Sequence, residues 1–393
     1  MTIALPGPRL RRRFAVTTPT APDPGGVARL SLPDVLKTLA AQCIVLHHLS
    51  AYGPMSLAVQ PHAGGAIEFV YDHGRAAVFV FLVLGGFLAA QALMPAPGRA
   101  APAPATLRLV ARRWLRLAWP YWFALLAAVA SAALARRVFV HADTPLAPSL
   151  HVLLANALMI QDIVGAAALS AGVWYVAIDL QLYTVFASMV GAWRAVVPRL
   201  APIAAARAPA TIAVSVACLL TLVGWCVFGR DDALDMWAPY FFGAYVMGVL
   251  ARWGRREAID VAGGRACPSG TPAAAKQARI GWWALMASVC ALALLADPRL
   301  RTVVAAVTAC LLMSGWSTRW MRHRVFEVGA RISYAVFLIH YPVSLLANAL
   351  VYRVWGADPV ASSAGIAGAW IASNVAGWCM FHAIETKTPR LVR

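Results

Sequence analysis

Two residues of one apolar stretch, Lys37 and His48, could carry chemistry. Eleven residues separate them, so in a helix both project from the same face, roughly 16 Å apart along the axis. An imidazole titrates near neutral pH and can act as a general base toward a hydroxyl. Because charged and titratable side chains are costly to bury in a bilayer, both residues are functional candidates. The neighbouring His47 points about 80° away from Lys37 on the same geometry and ranks below His48.

Two further titratable residues, Asp179 and His340, fall inside predicted helices. Counting along each helix from its predicted end places both of them, and His48, at a similar depth in the outer half of the membrane. A carboxylate beside an imidazole orients the ring and stabilises its protonated form. We therefore expect His48 to be the base and Asp179 to be its orienting residue or a part of the acceptor site.

The elements that position these residues are predicted to be membrane-spanning helices. The chain has 393 residues, of which 61% are hydrophobic and only 13% are charged. An ordinary soluble protein has about one quarter charged residues. The apolar residues come in runs of roughly 17–25, the length that crosses the hydrocarbon core of a bilayer. The sequence thus predicts an all-α, polytopic helical bundle that has the lipid bilayer as its partner.

The net charge of +18 does not form one basic patch or arm, so we expect no nucleic-acid partner. The positive residues lie in alternate loops, which is the bias that sets the orientation of a membrane protein. The seven cysteines are scattered singly without a C-x-x-C pair. Neither a metal site nor a disulfide framework is predicted from them.

The apolar runs and the charge bias together predict about ten transmembrane helices with both termini in the cytoplasm. Residues 1–30 are expected to be a flexible basic tail, and 31–390 a single transmembrane domain. Residues 53–72 are expected to form an outer loop and 95–116 a cytoplasmic loop. Residues 150–169 are expected to be an interfacial or re-entrant helix. The predicted spans are about 32–52, 74–94, 117–135, 173–195, 209–228, 236–252, 280–296, 300–316, 325–346 and 362–383.

Six motifs, in the same order along residues 30–390, resemble those of the acyltransferase-3 family of integral-membrane acyl transferases. The motifs are LPDVLKTLAAQCIVLHH, FVFLVLGGFLAA, RRWLRLAWPYW, WYVAIDLQLY, RISYAVFLIHYP and AIETKTP. Lys37 stands where the family usually has arginine, and Gly85 where it has serine. Asp179 replaces a glutamate, and Phe79 lies where an acidic residue is usual. These departures are typical of a divergent branch.

The resemblance implies a reaction and a location. The donor would be acyl-CoA, in particular acetyl-CoA, and the acceptor a hydroxyl of a glycan or another envelope molecule. The location would be the inner membrane of a bacterium. His48 matches the proposed catalytic histidine of the family. Lys37, Arg113 and Arg116, expected near the inner face, would bind the donor phosphates as fixed positive charges. Further candidate residues are Asp34, His47, Arg75, Trp174 and His340.

Each candidate also has a structural explanation. His48 could simply hydrogen-bond a neighbouring helix, and such a role is the favoured one for His47 and His340. Lys37 could extend its ammonium group to the inner headgroups.

The charged candidates have structural alternatives of their own. Asp179 could form an ion pair with an arginine such as Arg75. Arg112, Arg113 and Arg116 could serve only as positive-inside anchors.

A transporter or flippase of a lipid-linked or glycan substrate is the main alternative function. It predicts an inverted repeat and paired broken helices, and we find neither in the sequence. A purely structural subunit is a third alternative, but it leaves the cost of Lys37, His48 and Asp179 in the membrane without a reason.

Overall fold

The structure, a computed structural model, describes residues 31–94, 105–139, 141, 144–200, 208–262 and 272–387. Within these ranges the chain folds into α-helices joined by turns and short 3-10 segments, without a strand. The all-α prediction is confirmed. The helices are α1 (Ser31–Ala51), α2 (Pro54–Gly74), α3 (Val78–Leu93), α4 (Thr106–Val138), α5 (Leu150–Ala157), α6 (Val173–Leu200), α7 (Ala208–Cys226), α8 (Ala238–Ala262), α9 (Pro272–Ala296), α10 (Leu300–Ser314), α11 (Arg324–Trp355) and α12 (Pro359–Ala383).

Seven segments of the described chain are long and apolar enough to cross a membrane. Each of the ten predicted spans coincides with one helix, and α2 and α5 are the helices outside that set. One of the seven segments joins α2 to α3, whereas α10 is a shorter apolar helix. The count of ten, the cytoplasmic termini and the division into 1–30 and 31–390 stay predictions. The predicted tail lies outside the described residues.

Residues 53–72 form most of α2, so the predicted outer loop is wrong. Gly53 has a φ of 93°, a left-handed conformation that glycine adopts without a steric penalty. Pro54 then begins the helix, where its missing N–H would have no intrahelical partner anyway. The helix is kinked at Ala63, which has non-helical backbone angles and follows Pro61 by two residues.

The second difference from the prediction is the start of α4. The helix begins at Thr106, so the latter part of the predicted loop 95–116 is helical and the predicted span 117–135 is only its continuation. Arg113 consequently lies about two turns inside a helix. Its side chain is positioned by helix packing, which a loop would not provide.

Residues 150–169 do not form a spanning helix, as expected, since α5 has only eight residues. The buried side chain of Asn156 holds the turns that follow it. Its amide nitrogen donates to the carbonyl oxygen of Ala167 at 2.9 Å, and its amide oxygen accepts from the backbone N–H of Leu169 at 3.1 Å. The hydroxyl of Tyr121 in α4 donates to the carbonyl oxygen of Asn156 at 2.9 Å. This segment is therefore fixed against α4.

Helices α3 and α8 approach each other closely through glycines. A Cβ added at Gly86 would overlap the backbone of Tyr245, and one added at Gly248 would overlap the backbone of Val83. Small residues permit such an approach between membrane helices. Gly86 and Gly248 are thus the residues at which the two backbones meet.

Helices α1 and α11 are also in close contact. The hydroxyl of Thr38 donates to the carbonyl oxygen of Phe326 at 3.1 Å, and a Cβ at Gly329 would collide with the Thr38 side chain. Farther along, Val45 and Val336 are both fully buried in one apolar cluster. This contact fixes the relative position of the two helices that carry the candidate histidines.

A charged network closes the turn between α9 and α10. The carboxylate of Asp297, only 3% exposed, accepts from Arg299 at 2.6 Å and from Arg301 at 2.8 Å. Both guanidinium groups also donate to the carbonyl oxygen of Gly229 after α7. Arg301 stacks over the ring of Tyr240 at 4.6 Å. Burial opposes the ionisation of Asp297, but the two arginines outweigh it and lower the pKa of its carboxyl group.

We predict that Asp297→Asn lowers the free energy of unfolding by about 3 kcal/mol, because it leaves a buried arginine without its counter-ion. The folded-state pKa of Asp297 lies below its unfolded value of about 3.9. The stabilisation is therefore complete above that pH and is lost as the pH falls through the folded-state value. In detergent, the unfolding temperature of the variant should lie below that of the wild type by a constant amount above about pH 5. This difference in unfolding temperature should become smaller at lower pH.

Asp232→Asn is the matched control, because the side chain of Asp232 is 76% exposed and lies 3.4 Å from Arg299. The asparagine oxygen can still accept the 2.9 Å hydrogen bond that the hydroxyl of Tyr240 donates to Asp232. Its unfolding temperature should stay close to that of the wild type. Equal unfolding temperatures for Asp297→Asn and wild type at neutral pH would contradict the structural importance of the network.

Candidate active site

A cavity of about 710 Å³ lies where α1 ends, α3 begins and α6 begins. Its volume falls within the range of small-molecule binding sites, and it opens at the end of the bundle that is predicted to be the outer one. Polar residues on its walls include His47, His48, Asp72, Arg75, Ser170 and Trp174. Tyr71 and Asp72 come from α2, and Ser170 from the segment after α5. The predicted outer loop and the segment after α5 thus both contribute residues to the cavity wall.

His48 in α1 and His340 in α11 form a hydrogen-bonded pair at one wall of this cavity. The Nδ1 atom of His48 lies 2.6 Å from Nε2 of His340, and the two ring planes differ by 3°. His48 is 7% exposed and His340 only 1%. The similar depth predicted for these two histidines is confirmed by their direct contact.

The second ring nitrogen of each histidine has a different environment. Nδ1 of His340 lies 3.3 Å from the backbone carbonyl oxygen of Val336, one turn earlier in α11. Among the described residues, the bond from Nδ1 to His340 is the one hydrogen bond of the His48 ring, so its Nε2 has no partner there, and His48 lines the cavity. One nitrogen of the pair is thus available to a bound molecule.

His47 contacts a different element. The Nδ1 atom of His47 lies 3.4 Å from the backbone carbonyl oxygen of Val70 in α2. A Cβ added at Gly74 would lie only 2.8 Å from the Cβ of His47. Its ring also approaches that of Tyr71, with 5.9 Å between centroids. These contacts show that His47 helps to seat the end of α2 beside α1, although it also lines the cavity.

Arg75 and Trp174 lie together at the cavity wall. The guanidinium carbon of Arg75 lies 5.6 Å from the centre of a Trp174 ring, which is within the range of a cation–π interaction. Arg75 also forms a long, exposed ion pair of 3.8 Å with Asp235. Arg75 is therefore not the ion-pair partner of Asp179.

Asp179 in α6 forms an ion pair with Arg113 in α4. The carboxylate oxygen and the guanidinium nitrogen are 2.6 Å apart, and the side chains are 9% and 30% exposed. Arg113 also lies over the ring of Tyr183 at 5.3 Å. A Cβ at Gly85 would lie 3.4 Å from the carboxylate. The structure therefore brings Asp179 to Arg113, whereas the hydrogen-bond partner of His48 is His340.

Aromatic rings connect the histidine pair to the ion pair. Phe337 lies 6.1 Å from His340 and 5.5 Å from Tyr175, measured between ring centroids. Tyr175 precedes Asp179 by one helical turn on α6. The site thus has two polar groups, with aromatic side chains between them.

The remaining candidates lie nearer the start of α1 and in the first turns of α4. Helix α1 is continuous from Ser31 to Ala51, so the predicted phase between Lys37 and His48 holds. Lys37 and Asp34 are partly buried, and Arg116 is exposed. None of these three lines the cavity that contains His48.

Some residues of the cavity were not predicted as candidates. Tyr71 and Asp72 were assigned to a loop, and Ser170 lies in none of the six motifs. Tyr341 lies in the motif RISYAVFLIHYP but was not chosen as a candidate. A signal for Tyr341 was present, since it directly follows His340. The contact between His48 and His340 joins residues that are 292 positions apart, which no single-sequence pattern reveals.

Comparison with known proteins identifies the class of this site. A family model described as an acyltransferase domain, Acyl_transf_3, matches residues 31–374 and so covers most of the chain. No curated protein and no solved structure matches. The matched range includes both histidines, the ion pair and every residue of the cavity wall. The chain therefore belongs to the acyltransferase-3 family and is a multi-pass membrane acyltransferase.

Proposed function

We propose that this protein transfers an acetyl group from cytoplasmic acetyl-CoA to a hydroxyl of a glycan or similar envelope acceptor. The reaction takes place in the inner membrane of a bacterium. His48 is the general base, and the outer cavity holds the acceptor. The observation that carries this proposal is the position of His48 on the cavity wall, where one ring nitrogen makes no hydrogen bond to the part of the chain that the structure describes.

The lining of the cavity supports a glycan acceptor. Trp174 and Tyr71 offer aromatic surface to the apolar face of a sugar ring, while Asp72 and Ser170 offer hydrogen-bonding oxygens to its hydroxyls. A few polar groups within a partly aromatic cavity are typical of specific small-molecule sites. The volume of about 710 Å³ leaves room for an acceptor and the end of an acyl donor.

The proposed step balances as a simple acyl transfer. Nε2 of His48 takes the proton of the acceptor hydroxyl while the oxygen attacks the thioester carbonyl carbon. The carbon–sulfur bond then breaks, and the leaving thiolate takes the proton back from His48. The products are the ester and coenzyme A, and His48 returns to its neutral form.

Arg113 supports the donor side of the proposal. The side chain of Arg113 remains 30% exposed although it pairs with Asp179, and its Nε atom has no hydrogen-bond partner among the described residues. One donor of the guanidinium is therefore left for a ligand. Together with Lys37 and Arg116, Arg113 contributes positive charge for the phosphates of coenzyme A. In this proposal Asp179 holds Arg113 in place.

We predict that His48→Ala lowers the rate of acetyl transfer at least about 100-fold, as expected for the loss of a general base. The measurement is the release of coenzyme A from labelled acetyl-CoA by purified protein in detergent. Thermal unfolding is recorded in parallel to show that the variant is folded. His382→Ala removes an exposed histidine at the end of α12 and should leave the rate unchanged.

Normal transfer by a folded His48→Ala protein would overturn the assignment of the base. Absence of binding and turnover with any acyl-CoA in the wild type would overturn the donor assignment and favour a transporter.

We further predict that Asp179→Asn raises the KM for acetyl-CoA about ten-fold, because Arg113 loses the charged hydrogen bond that positions it. The rate at saturating donor should change less than KM. Steady-state kinetics with varied acetyl-CoA concentration measures both quantities.

The control for this prediction is Glu327→Gln. It removes the acid from another arginine–carboxylate pair, formed with Arg331, but that pair is exposed on both sides. It should leave the KM unchanged. A normal KM in a folded Asp179→Asn protein would show that the ion pair serves packing alone.

A further inference from the structure

We propose that His340 is a positioning residue that fixes the proton of neutral His48 on Nδ1 and so leaves the lone pair on Nε2, facing the acceptor. This inference rests on the proposed role of His48 as base. It assigns to His340 a task in each turnover, beyond holding two helices together.

The backbone carbonyl of Val336 determines which nitrogen of His340 carries the proton. A carbonyl oxygen can only accept a hydrogen bond, and it lies 3.3 Å from Nδ1 of His340. Nδ1 of His340 must therefore be the nitrogen that carries the proton.

The second step follows from the neutral form of His340. A neutral imidazole with a proton on Nδ1 has its lone pair on Nε2. Nε2 of His340 lies 2.6 Å from Nδ1 of His48, so His48 must be the donor in this bond. A neutral His48 then has its own lone pair on Nε2, the nitrogen that makes no hydrogen bond to the described residues and belongs to a ring on the cavity wall.

The opposite arrangement requires a charged His340. Both nitrogens of His340 would then donate, Nδ1 of His48 would accept, and the proton of His48 would occupy Nε2 and block the base. His340 is 1% exposed, and among the described residues the hydrogen bonds and ring contacts of its side chain are with His48, the Val336 carbonyl and Phe337, none of which is a carboxylate. A charge buried without a counter-ion is strongly disfavoured.

The same bond serves the step in which His48 gains a proton. The hydroxyl O–H bond of the acceptor breaks, an N–H bond forms at Nε2 of His48, and Nδ1 keeps its proton. Hydrogen bonds from a charged donor are about twice as strong as neutral ones. The bond to His340 therefore strengthens when His48 becomes positive, as the bond to the third residue does in hydrolase triads.

Two substitutions separate positioning from packing. His340→Gln keeps an acceptor oxygen that can reach Nδ1 of His48, whereas His340→Leu fills similar space without an acceptor. We expect His340→Gln to stay within about ten-fold of the wild-type rate and His340→Leu to lose about 100-fold in kcat, with KM for acetyl-CoA unchanged. Ser333→Ala removes a polar group two turns earlier in α11, where its hydroxyl bonds only Ala330, and should retain full activity.

Nitrogen NMR of protein labelled with ¹⁵N-histidine gives a readout that does not depend on activity. The signals of His48 are identified by their absence in His48→Gln. We expect a protonated Nδ1 and an unprotonated Nε2 in the wild type. In His340→Leu the proton of His48 should move to Nε2.

Failure of this inference can be told apart from failure of the proposed function. If His48→Ala is active, the role of His48 as base is wrong. If His48→Ala is inactive but His340→Leu has a normal kcat, or the wild-type spectrum shows the proton on Nε2 of His48, only the positioning role of His340 is overturned.

Discussion

The hydrogen bond between His48 and His340 is the interaction on which the site depends. Each imidazole is almost completely removed from solvent, and a polar ring buried among apolar helices is costly unless it is paired. The bond therefore stabilises the contact of α1 with α11 and at the same time restricts the orientation of both rings. Within the described ranges of the chain, it leaves one nitrogen of His48 at the cavity wall without a hydrogen-bond partner.

Two buried carboxylates of the bundle obey the same constraint. Asp179 pairs with Arg113, and Asp297 pairs with Arg299 and Arg301. Asp179 has one arginine partner, whereas the carboxylate of Asp297 contacts two arginines and stabilises the connection of α9 to α10. In the proposed reaction the histidine pair handles the proton and Arg113 contributes charge for the donor. Aromatic rings, including Phe337 and Tyr175, lie between these two functions.

The helices and the family were predictable from the sequence, but the contacts between helices were not. Apolar length located α1, and helical phase favoured His48 over His47, which the structure places against α2. The polar and glycine-containing residues 53–72 predicted a loop, but Pro54 starts a helix there. Counting depth from a span beginning at residue 117 left Arg113 near the inner face. The helix begins at Thr106 instead. The ion-pair partner of Arg113, Asp179, is 66 positions away in the sequence.

The most direct test of the account is whether blocking the cavity stops acyl transfer. Ala168→Cys on the cavity wall and Val164→Cys on the same segment outside it are prepared in a cysteine-free background and treated with a polar maleimide in detergent. Coenzyme A release from acetyl-CoA is then measured. We expect modification of Ala168→Cys to lower the rate of coenzyme A release at least about ten-fold, and modification of Val164→Cys to change it little. Full activity after complete modification at 168 would contradict the account.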